Sequence, residues 1–235
     1  MSFSAMAGFG MGPGGFDRRA PSYGVLKRIV QAALLFVGLG LGLGVAEARP
    51  LKLVAFGDSL TAGLGLKAGE GFPDQLGAAL KADGLDVEVV NAGVSGDTAE
   101  DGLARFDWSV PPDADAMILE LGANDMLRAM PVAPAKAAIA EILTKAKSRK
   151  LKVLLAGMRA PANAPKDYRA AFQAMYVDLA KSAGVPLYPF FLEGVAGDPS
   201  LNQADLMHPN PAGVAVIVKR MLPSVEEMLR SPVQN

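Results

Sequence analysis

Cysteine is absent from the 235 residues, and histidine and tryptophan each occur once. Without cysteine there can be no disulfide framework, no thiolate zinc site and no lipid-modified N-terminal Cys. A single histidine, His208, leaves too few nitrogen and sulfur ligands for a transition-metal site. Net charge is nearly absent as well. Lys and Arg total 23 against 24 acids, and no basic cluster stands out. That balance argues against a nucleic-acid partner. The glycines around Gly63 and Gly65 lack the G-x-G-x-x-G order of a dinucleotide site. No G-x-S-x-G nucleophile elbow is present either.

The longest apolar run falls short of a membrane span. Ile29 to Val45 is 17 residues, and four glycines between Gly38 and Gly44 weaken it as a helix. Lys27-Arg28 precede the run and Ala46-Glu47-Ala48 follow it. A charged segment, an apolar segment and an A-x-A site together spell an export signal cleaved after Ala48. The competing reading is an uncleaved membrane anchor. Met6 and Met11 are alternative starts. The expected organisation is an N-terminal extension and signal peptide over 1–48 and one globular domain over 49–235. After cleavage no stable membrane span is expected, and the product is expected in the periplasm or secreted.

In the remaining chain, short apolar runs alternate with helical patterns. The strand candidates are Leu51–Phe56, Val87–Ala92, Ala116–Leu121, Lys152–Met158 and Val185–Phe191. The helix candidates are Phe72–Ala82, Thr98–Phe106, Pro134–Arg149, Tyr168–Ala183 and Pro211–Leu229. Within Pro134–Arg149, Ile139, Ile142, Leu143 and Ala146 recur at spacings of three and four and mark one buried face. Nearly continuous apolar strands separated by helices predict a parallel sheet covered on both sides. With right-handed crossovers this is an α/β fold: a three-layer α/β/α sandwich on a flavodoxin-like doubly wound sheet of about five strands.

Sites in such sheets form at the carboxyl ends of strands. The first strand ends in Gly57-Asp58-Ser59, the second in "NAGVSGDT" and the third in "LGAND"; "DLMHPN" follows the fifth. Four polar clusters at one edge could be four helix caps. They also contain the parts of an acyl-transfer site. Ser59 can be a nucleophile, His208 its base and Asp205 the group that orients the imidazole. The Gly96 N–H and the Asn124 side-chain amide can stabilise an oxyanion. Asp58 and Asp97 read as turn formers, and Asp125 as a cap for the next helix. Met126, Leu127 and Met130 are either core residues or the wall of an acyl pocket.

These blocks resemble the SGNH, or GDSL, hydrolase family: "FGDSLTAG", "VVNAGVSGDTAEDGLARF", "ELGANDMLR" and "DLMHPNPAG". The likeness runs from about Leu51 to Leu222. "SGDT", "GLARF", "RAPAN" and "VPLYPFFLEGV" are similar to the bacterial periplasmic thioesterase, lysophospholipase and arylesterase group. Ala123 stands where that group often has Gly. The resemblance implies that Ser59, Gly96, Asn124 and His208 carry the four family letters and that Asp205 completes a triad. It also implies an oxyanion hole of Ser59, Gly96 and Asn124, a softer turn than the elbow for Ser59, and no cofactor. The implied activity is hydrolysis of small-molecule esters or thioesters, lipid esters among them. A saccharide or cell-wall O-acetyl esterase and an inactive lipid- or sugar-binding module are the other readings of this scaffold.

Overall fold

The computed structural model describes residues 49–232. The signal-peptide reading of 1–48 lies outside the described residues. Five strands form one parallel sheet in the order β2-β1-β3-β4-β5. They are β1 (Leu51–Gly57), β2 (Val87–Gly93), β3 (Ala116–Glu120), β4 (Lys152–Ala156) and β5 (Leu187–Tyr188). The central strands carry Val, Leu, Ile and Met on both faces because both faces are covered; every residue of β3 is buried. The sheet is the expected flavodoxin-like order.

Among the described residues seven helices accompany it: α1 (Ser59–Ala62), α2 (Phe72–Ala82), α3 (Ala99–Ser109), α4 (Ala123–Leu127), α5 (Val132–Ser148), α6 (Lys166–Ala183) and α7 (Pro211–Arg230). α3, α5 and α6 pack in a row, and α2 packs on α7. α5 and α7 both touch β4, so the two groups cover opposite faces of the sheet. The apolar stripe of α5 read from its spacing, Ile139, Ile142, Leu143 and Ala146, is buried. No helix among the described residues is long and apolar enough to cross a membrane.

Starts are written in local chemistry. Thr98 and Asp101 form a capping box on α3. Asn210 caps α7 by accepting from the Gly213 N–H, and Pro211 occupies the first helical position. The last strand differs most from expectation: Val185–Phe191 contributes only Leu187–Tyr188 to the sheet. Pro186 and Pro189 bracket those two residues and have no N–H to give a ladder. The flanking chain still touches β4, since the Leu155 N–H donates to the Pro186 carbonyl at 3.0 Å and the Phe191 N–H to the Gly157 carbonyl at 2.8 Å.

The chain runs from β1 out to the edge strand β2 and returns across to β3. The order therefore reverses between β1 and β3, and a crevice opens there at the carboxyl edge. Ser59 follows β1 and Asn124 follows β3, on the two sides of that point.

Candidate active site

β1 ends at Gly57, and Ser59 is the first residue of the one-turn α1. The cap is Asp58, whose carboxylate accepts from the Leu60 N–H at 3.0 Å. Capping and nucleophile readings thus fall on adjacent residues: Asp58 closes the helix end and leaves the Ser59 hydroxyl free to point elsewhere.

That hydroxyl lies 2.9 Å from His208 Nε2. His208 Nδ1 lies 2.6 Å from Asp205 Oδ2. The other Asp205 oxygen accepts from the Met207 and His208 N–H groups at 2.9 and 3.0 Å. These donors, the imidazole first, hold the Asp205 carboxyl down at about 2. Leu206 at φ 57° bends the loop between Asp205 and His208. The loop is also pinned from outside. The Gln203 N–H donates to the His208 carbonyl, and the Gln203 amide donates to the Leu64 and Pro209 carbonyls at 2.8 and 3.0 Å. Gln203 therefore ties the His208 loop to the chain that leaves α1.

Gly96 sits at φ 93°, a conformation that a side chain disfavours. Neither its backbone N–H nor that of Ser59 donates to another group among the described residues. Asn124 is the second residue of α4, reached through Gly122 at φ 112°. Gly122, not Ala123, carries the strained turn, so Ala123 keeps ordinary helical backbone. Asn124 Nδ2 donates to the Asp97 carbonyl at 2.9 Å and to Asp58 Oδ2 at 3.1 Å. Ser59, Gly96, Asn124 and His208 all line one cavity of about 450 Å³, within the usual range for small-molecule sites.

The other walls of that cavity are largely apolar: Leu60, Leu64, Met126, Leu127, Met158 and Phe190 among them. Met130, expected beside Met126 and Leu127, does not line it. The chain turns at Ala129, φ 51°, and the Met130 N–H folds back onto the Asp125 carbonyl at 2.9 Å. Arg159 is the cation on the cavity wall. It lies over the Phe190 ring at 4.9 Å and 3.5 Å from Glu193.

The remaining acids depart from expectation. Asp97 makes a buried ion pair with Arg105 instead of a turn, and Arg105 also donates to the Gly57 carbonyl at 2.8 Å. Asp125 accepts from the Ala99 N–H at 2.9 Å, so it caps α3 across the fold instead of its own helix. Sequence reading missed Glu120, which ends β3 with its side chain fully buried. Its Oε2 accepts from the Thr61 hydroxyl at 2.9 Å and the Asp58 N–H at 3.3 Å. Burial first, then the Asp58 charge, raises the Glu120 carboxyl well above its ordinary value, and burial lifts Asp58 to about 6. The signal was visible: an acid closing an otherwise apolar five-residue strand is costly to bury and calls for a reason.

Residues 55–216 match the GDSL-like Lipase/Acylhydrolase family. The chain is 37% identical over 201 residues to Esterase TesA of Pseudomonas aeruginosa, covering 85% of this chain and 100% of that protein. It is 38% identical over 159 residues to thioesterase 1/protease 1/lysophospholipase L1 of Escherichia coli, covering 67% and 75%. A crystal structure of TesA superposes with a TM-score of 0.72 at 36% identity, over 75% of this chain and 99% of that one. A family match across most of the described residues, with relatives that are esterases and thioesterases by name, leaves one assignment: the chain belongs to the GDSL-like lipase/acylhydrolase family.

Proposed function

We propose that Ser59 is the nucleophile of a serine hydrolase acting on carboxylic esters and thioesters, with aryl esters, acyl thioesters and lysophospholipids as candidate substrates. The observation that carries this reading is the continuous hydrogen-bonded chain Ser59–His208–Asp205 opening onto an apolar cavity. His208 Nδ1–H donates to Asp205, which fixes the tautomer that leaves Nε2 free to accept the Ser59 proton. Ser59 Oγ attacks the acyl carbon and its proton passes to Nε2. The tetrahedral oxyanion is held by the free N–H groups of Ser59 and Gly96 and by the Asn124 amide. When the intermediate collapses, Nε2–H protonates the leaving alcohol or thiol. Water then attacks the acyl-enzyme by the same route and releases the acid.

The Asn124 amide rests on Asp58 and the Asp97 carbonyl. One of its hydrogens must therefore turn, or be shared, as negative charge develops on the substrate. Catalytic hydrogen bonds often tighten only with substrate bound. The apolar wall favours fatty acyl chains over an O-acetyl group on a saccharide. The export reading of Lys27 to Ala48 belongs to the same proposal and places the enzyme in the periplasm or outside the cell.

Ser59→Ala tests the assignment. The variant should fold with an unchanged melting temperature, lose nearly all turnover of p-nitrophenyl butyrate and no longer be labelled by a fluorophosphonate. Turnover near the parent level would remove Ser59 from the mechanism.

A further inference from the structure

Glu120 is a buried acid for which the mechanism above has no use. Its side chain lies beneath the turn that carries Ser59. It accepts from the Asp58 N–H at 3.3 Å. It also takes the Thr61 hydroxyl, one turn further along α1. β1 ends in glycine for this reason: a Cβ on Gly57 would strike both the Glu120 carboxyl and the Thr61 hydroxyl.

Two carboxyls buried side by side cannot both be ionised without a cation. None is paired with them among the described residues. The Arg105 guanidinium holds Asp97 through Nε and the Gly57 carbonyl through Nη2, and makes no hydrogen bond to either carboxyl. The other titratable neighbours are His208, which faces Ser59 and Asp205 and makes no hydrogen bond to either carboxyl of the pair, and Tyr176, a phenol that donates to the Leu121 carbonyl at 2.8 Å. One proton therefore stays in the pair. Asp58 accepts from the Leu60 N–H through one oxygen and from Asn124 Nδ2 through the other, so it is the better-stabilised carboxylate. Glu120, whose Oε1 receives no hydrogen bond, is left as the acid.

We infer that Glu120 is a positioning residue for the oxyanion hole: it accepts from the Asp58 N–H and the Thr61 hydroxyl, and Asp58 in turn holds the Asn124 amide and the first turn that carries Ser59. This inference rests on the oxyanion role given to Asn124. The chain of contacts Glu120–Asp58–Asn124 bridges β3, the β1 turn and α4, the three elements that meet at the strand-order reversal. An acceptor for the Asp58 N–H and the Thr61 hydroxyl is what the arrangement requires at position 120, not a negative charge.

The test is a double-mutant cycle on the purified enzyme with p-nitrophenyl butyrate. E120L keeps the volume and removes every hydrogen bond. It should lower kcat by roughly tenfold or more and move KM less than about twofold, because the lost interaction strengthens only in the transition state. E120Q can still accept from the Asp58 N–H and the Thr61 hydroxyl. It should keep kcat within about threefold of the parent, a rescue that packing alone does not explain. In an N124A background, E120L should cost less than about threefold further, because residues acting through one another are not additive. If E120L does not fold, E120M, whose unbranched side chain adapts to the site, serves in its place. Full multiplication of the two effects, or E120Q as poor as E120L, overturns the inference and leaves Asn124 in its role. An unchanged kcat in N124A alone overturns the oxyanion reading and the inference with it.

Discussion

The apolar cavity makes a quantitative demand on substrate choice. Lengthening the acyl group of a p-nitrophenyl ester from acetate to hexanoate adds four methylenes on the acyl side of Ser59. Each fully buried methylene contributes about 0.8 kcal/mol, close to fourfold in kcat/KM. The cavity is not closed: Leu64, Leu127 and Met207 on its wall are 46%, 52% and 45% exposed. A methylene against such a lip loses only about half its contact with water, which halves the gain to about twofold. Four methylenes should then raise kcat/KM by at least roughly 15-fold, and by no more than about 250-fold if all were fully buried. The assay is initial rates across acetate, butyrate, hexanoate and octanoate below the aggregation limit of each ester. The rise should stop once the chain reaches solvent. Replacing Met126 and Leu127 with Gln should flatten the series, whereas Met130→Gln, off the cavity wall, should leave it unchanged. Acetate as the best substrate, or a flat series in the parent enzyme, would refute the acyl-groove argument and return the saccharide O-acetyl esterase to first place.

Asn124→Ala should reduce kcat by roughly 10²–10³ with a smaller change in KM, the usual loss of one oxyanion donor, measured by steady-state kinetics. Glu120→Gln should stabilise the fold more at alkaline than at acidic pH. The folded chain keeps the Glu120 proton that the unfolded chain releases above about pH 4.3, so native stability falls as pH rises from there towards the raised folded value, by up to about 1.4 kcal/mol per pH unit. Asp58, raised in the same direction to about 6, adds to that slope, and Gln at 120 removes the Glu120 share. The gain in melting temperature of E120Q over the parent should thus grow between about pH 5 and about pH 8, and a constant or shrinking gain would contradict the buried neutral acid. Export should remove Met1 to Ala48, so Edman sequencing of the periplasmic protein should begin at Arg49; a full-length species in the membrane fraction would favour the anchor instead.

How much of this could be read from the chain differs by the range of the interaction. Strand and helix positions were legible because hydrophobic periodicity and caps are local; Phe72–Ala82 matches its helix residue for residue. Leu187–Tyr188 was overestimated because apolar content was counted without asking which residues could donate to a ladder, and Pro186 and Pro189 cannot. The residues grouped as a site were placed by strand topology alone, since parallel strands bring their carboxyl ends to one edge whatever lies between them. Met130 was misplaced because a single positive φ at Ala129 turns the chain away, and that angle leaves little trace in sequence. Arg105 and Glu120 are different again. Their partners lie across the fold, at Asp97 and Gly57 for one and at Asp58 and Thr61 for the other. No spacing rule links them.

The choice between a helix cap and a nucleophile at the end of β1 dissolves for a physical reason. A strand running straight into a one-turn helix needs its first N–H groups satisfied, or the turn frays. In this chain Asp58 answers that need for Leu60, while the Ser59 N–H is left without a partner. An unanswered N–H at a helix start is an attractive site for negative charge. With Asp58 rather than Ser59 as the cap, the same turn can present a hydroxyl to His208 and an empty donor to the oxyanion. Had Ser59 been the cap, its hydroxyl would be committed to the backbone and could not reach the imidazole. The buried acid behind Asp58 is then intelligible as a cost of this division of labour. A capping carboxylate placed inside the protein, next to the oxyanion hole proposed above, has to be held still and kept from facing it. Glu120 from below and Asn124 from the side do that.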